Sequence, residues 1–544
     1  MKKRFTTLLL TLFIVGGMAY AGDIDVTGHI TSDVTWTADN DYYLDGFVFV
    51  DDGATVTVEP GTVIRGYEGQ GADASALIVM RGGKLIANGT ADKPIIFTTE
   101  TDNDLTMDET TKGAWGGVIL LGKALTNNLG YSNGIEGVPL EDSAFYGGND
   151  DADNSGSLKF VSIRHGGSEL APDEEINGLT AGAVGSATTF EHIEIFANSD
   201  DGIEFFGGSV NLKYFLVSDC ADDGFDIDEG YHGKFQFVEV VQQGDGTGDN
   251  LGEHDGGPSS NRWGTPYATP VISNATYIGG GASAGDRTLT LRDFWQGEYH
   301  NSIFAEQAKG IRLDYIPLYD GGAKGGSFTA WNNGILKIED NIFQHVADGT
   351  PANIFTVYSE IDSTVPPDSA TKFANYFAAA GNTVDDALGI STANPVPANA
   401  SDVADPDFTG MDSFFEQVSY KGAFDPSVTC GNWAGSWTYT YASTDYAASS
   451  NDCSGSAVKS AKFDAKAKVY PNPAADIANI TFDNAEGEAF ILNVYSVNGE
   501  IVKTLSTSAS AITLNISDLS SGLYTFTLRN ADASINSVGQ LIVK

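Results

Sequence analysis

Three cysteines in 544 residues are too few for a disulfide scaffold. None stands at the paired spacing of a zinc or iron–sulfur site, so neither can organise the fold. Cys430 and Cys453 share a loop-rich region and could pair in an oxidising compartment; Cys220 ends a strand-like run and reads as a buried free thiol. Basic side chains are the next shortage. Twenty-nine Lys and Arg face 73 Asp and Glu, a formal charge of −44. A surface of that sign repels phosphate backbones and anionic lipid, which argues against nucleic acid as a partner. Divalent cations or salt are the natural counterions, and an acidic surface by itself keeps a secreted protein in solution. Long apolar runs are missing too. After residue 21 no stretch is long enough to span a bilayer, so no transmembrane span is expected in the mature chain.

What is present begins with residues 1–21. Lys2, Lys3 and Arg4 precede an apolar run over 8–17, and Ala19-Tyr20-Ala21 has the small-x-small form of a cleavage site. A signal peptide is expected there, with the mature chain starting near Gly22. A hydrophobic content of 41% suffices for packed cores, and 64 glycines suit a chain with many tight turns. The length exceeds what one compact core serves.

A short motif returns inside the chain. Residues 198–204 (NSDDGIE) reappear as 220–226 (CADDGFD), an offset of 22 residues. Each copy is a short apolar strand, an acidic turn, and a second short strand. So small a unit cannot bury its apolar face alone and must stack on copies of itself. From residue 44 onward, β-rich runs of three to five residues alternate with Gly, Pro, Asp and Asn turns. Phe160, Phe190, Tyr214 and Phe237 each carry an aliphatic residue three positions on and align as successive coils. Asn301-Ser-Ile-Phe304 echoes Asp340-Asn-Ile-Phe343, as stacked polar turns would. The phrases 58–64 (VEPGTVI), 83–89 (GKLIANG), 94–97 (PIIF) and 115–122 (WGGVILLG) resemble the opening coils of right-handed parallel β-helix proteins. The fold expected is all-β, a right-handed parallel β-helix over 22–346. Residues 347–453 read as a loop-rich region capping its C-terminal end, with one short helix near 371–380. Residues 454–467 read as a linker.

Residues 468–544 carry alternating short strands that fit a small antiparallel β-sandwich. Tyr470-Pro471-Asn472-Pro473 opens the segment, Tyr495 with Asn498-Gly499 marks its middle, Gly522-Leu-Tyr524 follows, and Lys544 closes it. This ordered set resembles the type A sorting domain of type IX secretion substrates in Bacteroidota. The resemblance implies export by the type IX machinery to the cell surface or the medium, and removal of the domain on the way.

Chemistry is sought first in the acidic ladder Asp200, Asp201, Glu204, Asp222, Asp223, Asp226, Asp228 and Glu229. In-register coils lie about 4.8 Å apart, which would set Asp200 over Asp222, Asp201 over Asp223 and Glu204 over Asp226. Carboxylates so close repel, and a proton or a cation relieves them. Ca²⁺ is the expected ion because it takes several hard oxygens at once; a solvated turn ladder with no ligand is the plain alternative. Asp200, Asp222, Asp223, His254 and Arg312, in that order, distantly resemble the cleft residues of β-helix polygalacturonases, which would imply acid–base cleavage of a sugar chain. Gly252-Glu-His254-Asp and Gly310-Ile-Arg312-Leu depart from that family's Gly-His-Gly and Arg-x-Lys. A second calcium candidate is Asp151, Asp153 and Ser155 before Gly156, the first half of an EF-type loop whose twelfth position, Ser162, is no carboxylate. Trp263, Trp295, Tyr299 and Trp331 could form a platform for sugar rings or pack in the core. The functions left open are a glycan-binding or adhesive surface protein, a polysaccharide lyase or hydrolase, and a structural surface-layer component.

Overall fold

The computed structural model describes residues 22–442 and 467–544, except 129–132, 136–137, 139–143, 173, 243–246, 282–286, 318–324, 360–363, 429–430, 483, 485–488, 497–500, 518 and 531–535. The expected signal peptide, Cys430, Cys453, linker residues 454–466 and the Asn498-Gly499 turn lie outside the described residues. The chain divides into two compact units between Cys453 and Ser454.

The first unit is a parallel β-helix. Its strands join one 26-stranded sheet in which pairing runs between successive coils. Tracing register shows three faces. One climbs from Val34–Trp36 through Thr55–Val58 and Lys84–Asn88 to Lys337–Glu339. A second climbs through Val63–Gly66 and Ile95–Thr99 to Thr383–Val384. The third climbs through Ala76–Val79, Val118–Leu121, Ile203–Phe206 and Phe225–Asp228 to Phe355–Tyr358. Alternation along each strand points one set of side chains into the prism, where Val56, Leu85, Ile95, Phe97, Leu158, Ile203 and Phe225 are all 0% exposed. Each such side chain contributes about 1.5–3 kcal/mol by leaving water, and only stacking provides the burial.

The first two faces meet at a bend made by a single left-handed residue per coil: Phe160, His192, Tyr214, Phe237, Asn274, Asn301 and Asp340, with φ between 48° and 61°. Their side chains project at the corner and stack. Ring centroids lie 4.2 Å apart for Phe160 and His192, 4.3 Å for His192 and Tyr214, and 4.9 Å for Tyr214 and Phe237. This corrects the coil alignment expected from sequence. Phe190 is the interior partner of Leu158 and Leu212, and His192 is the true mate of Phe160 and Tyr214. A slip of two residues preserves the in–out alternation, so pattern alone could not detect it. The echo between 301–304 and 340–343 does mark stacked turns: Asn341 Oδ1 accepts the Ser302 amide at 2.8 Å, and Asn382 Oδ1 accepts the Asn341 amide at 2.9 Å.

The C-terminal end is closed by helix Ser369–Ala379. Phe373, Tyr376 and Phe377 share one side of it, and Gly381 in left-handed conformation (φ 71°) ends it. Phe373 packs against Trp331 at 4.5 Å and Phe355 at 5.7 Å, and Phe377 lies 5.5 Å from Phe343. The remainder of the segment expected as an end cap does something different. After strand Thr383–Val384, itself still part of the solenoid, the chain turns back along the corner between the first two faces as a strap. Its Trp433 and Trp437 meet the His192 ring edge-on, and Asn274 Nδ2 donates to the Tyr420 carbonyl at 2.9 Å. Buried Glu194 accepts from the Thr440 amide at 2.7 Å and hydroxyl at 2.9 Å, and buried Glu239 accepts from the Tyr441 hydroxyl. Both carboxylates thereby receive donors from a segment more than 200 positions away.

The second unit is an antiparallel sandwich of a three-stranded and a four-stranded sheet. Ile480, Leu492, Val494, Leu514, Phe526 and Leu541, all 0% exposed, form its core.

If the helix closes the solenoid, Phe373→Ala should remove roughly 3–5 kcal/mol of packing at that end only. Hydrogen exchange should speed up in Lys309–Asp314 and Phe355–Tyr358, while Lys84–Asn88 keeps its protection. Unchanged exchange at the C-terminal coils would show that the helix is not the closure.

Candidate functional site

The third face carries the acidic ladder. Strands Ile203–Phe206, Phe225–Asp228 and Glu253–Asp255 are consecutive rungs, with Glu204 opposite Asp226, Asp226 opposite Glu253, and Ile227 opposite His254. Alternation sends Ile203, Phe205, Phe225, Ile227 and His254 into the core and turns Glu204, Asp226, Asp228, Glu253 and Asp255 outward. Above these strands the turns stack as well. The Gly202 amide donates to the Asp223 carbonyl at 2.9 Å, and the Asp223 amide donates to Asp201 Oδ1 at 2.9 Å.

Three groups of carboxylates each bring their oxygens within 4.8 Å of one another: Asp200, Asp201 and Asp222; Asp201, Glu204 and Asp226; Asp222, Asp223 and Asp249. Asp201, shared by the first two groups, and Asp223 are buried, while Asp222, shared by the first and third, and Asp249 are exposed. Amides hold the ladder in place. Asn177 Nδ2 donates to Glu204 Oε2 at 2.6 Å, and Asn250 donates to Asp223 Oδ1 from its backbone at 2.5 Å and its side chain at 3.0 Å. Asn177 is 4% exposed, and its Oδ1 has no hydrogen-bond partner. The cation at the far end is Arg292. It donates to Asp255 at 2.8 and 2.7 Å and pairs with Glu253.

Burial, reinforced by neighbouring carboxylates, pushes Asp201, Glu204, Asp223, Asp226 and Asp228 well above the usual carboxylate range. Asp222 rises for the same reasons, burial first and then Asp249. Glu253 is raised by burial to about 7 even with Arg292 opposing the shift. Burial lowers the Arg292 pKa, but bonded Asp255 and nearby Glu253 outweigh it and keep the guanidinium charged. The face is a column of oxygens whose burial and mutual repulsion disfavour full ionisation. It can take up protons or a hard cation.

Residues 28–385 match the sequence profile of a pectate-lyase-like β-helix domain, which is more than half of the chain. The chain belongs to the pectate-lyase-like β-helix family. Residues 468–544 match the secretion-system C-terminal sorting domain. This β-helix protein is therefore a type IX secretion substrate, delivered to the cell surface or the extracellular space, and its sorting domain implies contact with the type IX machinery. No characterised protein matched the chain. Among the described residues no helix is long and apolar enough to cross a membrane.

In this pectate-lyase-like solenoid the five residues that distantly resemble a polygalacturonase cleft are not all brought together. Asp200, Asp222 and Asp223 sit in the stacked turns, but His254 points inward. It is 0% exposed, its Nδ1 lies 2.6 Å from the Glu253 carbonyl, and its Nε2 lies 2.6 Å from the Tyr299 hydroxyl. A carbonyl only accepts, so Nδ1 carries the proton, Nε2 accepts from Tyr299, and Tyr299 in turn accepts from Tyr277 at 2.9 Å. Burial lowers this imidazole to about 3. The reason is the period of two: between outward Glu253 and Asp255, residue 254 must face in. Arg312 is on the same face but three rungs from Asp226, about 14 Å away, with its guanidinium 4.3 Å over the Tyr358 ring.

The second calcium candidate is spent on protein partners. Asp151 Oδ1 accepts the Leu125 amide at 2.9 Å, its Oδ2 lies 3.1 Å from His232 Nε2, and Asp153 accepts the Ser155 hydroxyl at 3.2 Å. Glu229 likewise leaves the ladder, receiving Thr126 and Tyr146 hydroxyls at 2.9 Å each. Of the aromatic platform, Trp295, Tyr299 and Trp331 are core residues, and Trp263 donates to the Gly325 carbonyl at 3.0 Å. Sequence reading missed Asp249, Glu253 and Asp255 as the next members of the ladder. The signal was there: Glu253-x-Asp255 repeats Asp226-x-Asp228. A glycine-rich loop between them hid the period.

The raised carboxylates set a pH dependence. A carboxyl whose folded pKa exceeds its unfolded value stabilises the fold fully below the unfolded value, near 4, and loses that contribution as pH rises through the folded value, which for Glu253 is about 7. In chelator, Asp226→Asn should melt above wild type at pH 8 and converge with it near pH 4. The difference should change by up to about 1.4 kcal/mol per pH unit for the one proton involved. A variant whose melting temperature tracks wild type across that range would show that the column carries no repulsive strain.

Proposed function

We propose that this secreted β-helix protein is a non-enzymatic glycan-binding or adhesive surface protein whose acidic face is loaded with Ca²⁺. The observation that carries the reading is the column Asp201–Glu204–Asp226 with the partnerless oxygen of buried Asn177 beside it. The donor set is all oxygen, which suits a hard cation. The first-choice ligands are Asp201, Glu204 and Asp226, with Asn177 bonded to Glu204 beside them; half-buried Asp200, exposed Asp222 and Asp249, and buried Asp223 complete the cluster. Bound Ca²⁺ supplies positive charge on a face that otherwise repels anionic sugars, so glycan contact becomes calcium-dependent. The dispersal of His254 and Arg312 away from the carboxylates favours binding over bond cleavage.

Millimolar Ca²⁺ should raise the melting temperature of the mature protein more than NaCl at the same ionic strength, because an ion bound only by the folded state stabilises by mass action. Glu204→Gln with Asp226→Asn should abolish the excess. On a panel of acidic and neutral glycans, retention of the wild type should fall on adding chelator. Equal shifts from the two salts would remove the calcium site, and sustained release of sugar fragments by the purified protein would replace binding with catalysis.

A further inference from the structure

The solenoid has few arginines, and the fold uses all but two. Arg65, Arg81, Arg164, Arg262 and Arg292 each donate to or pair with a protein oxygen. Arg287 and Arg312 make no ion pair and no side-chain hydrogen bond among the described residues. In a chain with 73 Asp and Glu, that reflects where they stand and not a shortage of partners. The two are also neighbours. Arg287 opens strand Arg287–Arg292, and Arg312 lies on the next rung, Lys309–Asp314, where Lys309 is opposite Arg287 and Arg312 is opposite Thr290. They stand where the acidic column stops: Glu204, Asp226, Glu253, Thr290 and Arg312 follow one another rung by rung on the third face.

Their surroundings hold the two charges in place without neutralising them. Both side chains are half-buried. The Arg312 guanidinium lies 4.3 Å over the Tyr358 ring, and its buried Nε has no hydrogen-bond partner. Burial, and then the Arg312 charge, lowers the pKa of Arg287; Asp249 and Tyr358 oppose that shift without reversing it. The two guanidinium groups therefore repel each other, and no described carboxylate stands at ion-pair distance from either. An oxyanion between them would answer both. The number of acceptor oxygens narrows the class. One guanidinium fork takes both oxygens of a carboxylate and leaves little for a second. A sulfate or phosphate monoester presents three free oxygens. A phosphate monoester carries about −1.5 to −2 charges at pH 7, and the negative field of this chain opposes the second charge. A sulfate ester carries a single one.

We propose that Arg287 and Arg312 form a subsite for a sulfate ester carried on a sugar. The site lies on the third face about 14 Å from Asp226, so a sulfated glycan laid along that face meets the arginines at one end and the carboxylate column at the other. The inference names the ligand class within the glycan-binding reading and rests on it. It does not depend on calcium, because both contacts are made by guanidinium groups of the chain.

The test titrates the purified mature protein, in chelator, with galactose 6-sulfate, galacturonate and galactose. The sulfated sugar should bind saturably, and the other two about tenfold more weakly or not at all. Arg287→Gln and Arg312→Gln should each weaken the sulfated sugar about tenfold, as loss of a charged hydrogen-bond donor does. Arg312→Lys keeps the charge but loses the fork, and should weaken it too. Neither arginine has a protein acceptor, so the variants should melt at or above wild type, which separates lost binding from lost fold. Arg81→Gln, which removes a charge on an early coil, should bind like wild type. In the wild type the sulfated sugar should also slow modification of Arg287 and Arg312 by an arginine-selective dicarbonyl, a readout that needs no substitution. Equal binding of galacturonate, unchanged affinity in both Gln variants, or no protection of either arginine would overturn the subsite, and retention on other glycans would still leave the glycan-binding reading standing. Retention on no glycan polymer, with galactose 6-sulfate still bound, would keep the subsite and overturn that reading.

Discussion

The spacing between coils governs this molecule. Parallel strands bond at about 4.8 Å, and no single coil buries its own apolar side. Register is therefore fixed by the core, and whatever projects from one coil must live beside its counterpart on the next. Where the counterparts are aromatic, as with Phe160, His192, Tyr214 and Phe237, stacking is favourable. Where they are asparagines, as with Asn341 and Asn382, each side chain bonds to the next turn. Where they are carboxylates, the same spacing creates repulsion that nothing in the fold can relax by moving apart.

The protein answers its carboxylates in two ways. At the corner between the first two faces, Glu194 and Glu239 are fully buried yet supplied with donors by the strap. Those bonds tie the strap to the flank. On the third face Asp201, Glu204 and Asp226 have few donors of their own, and Arg292 brings a positive charge to the far end of the column.

The two units divide labour. The solenoid grows lengthwise and offers long columns of equivalent positions, which suits multivalent contact with an extended partner. The sandwich is small and is the matched sorting domain. The sorting-domain match ties the second unit to export.

Much was determined by the sequence itself. The 22-residue return of acidic turns, the short strand runs and the ordered C-terminal motifs specify a stacked β-coil and a sorting sandwich. They do so because repeat length and alternation are local properties of the chain. Even Glu204 over Asp226 was legible, since no insertion separates the two copies. Tertiary structure alone decided the rest. Phe190 and His192 exchanged roles because a slip of two residues leaves alternation intact. His254 went inside because its outward neighbours are both acids, a parity visible only once the rung is placed. The segment after Val384 became a strap because its partners, Glu194, Glu239 and Asn274, lie far back along the chain. Contacts across such separations are set by how the coils stack in space, and no local pattern encodes them.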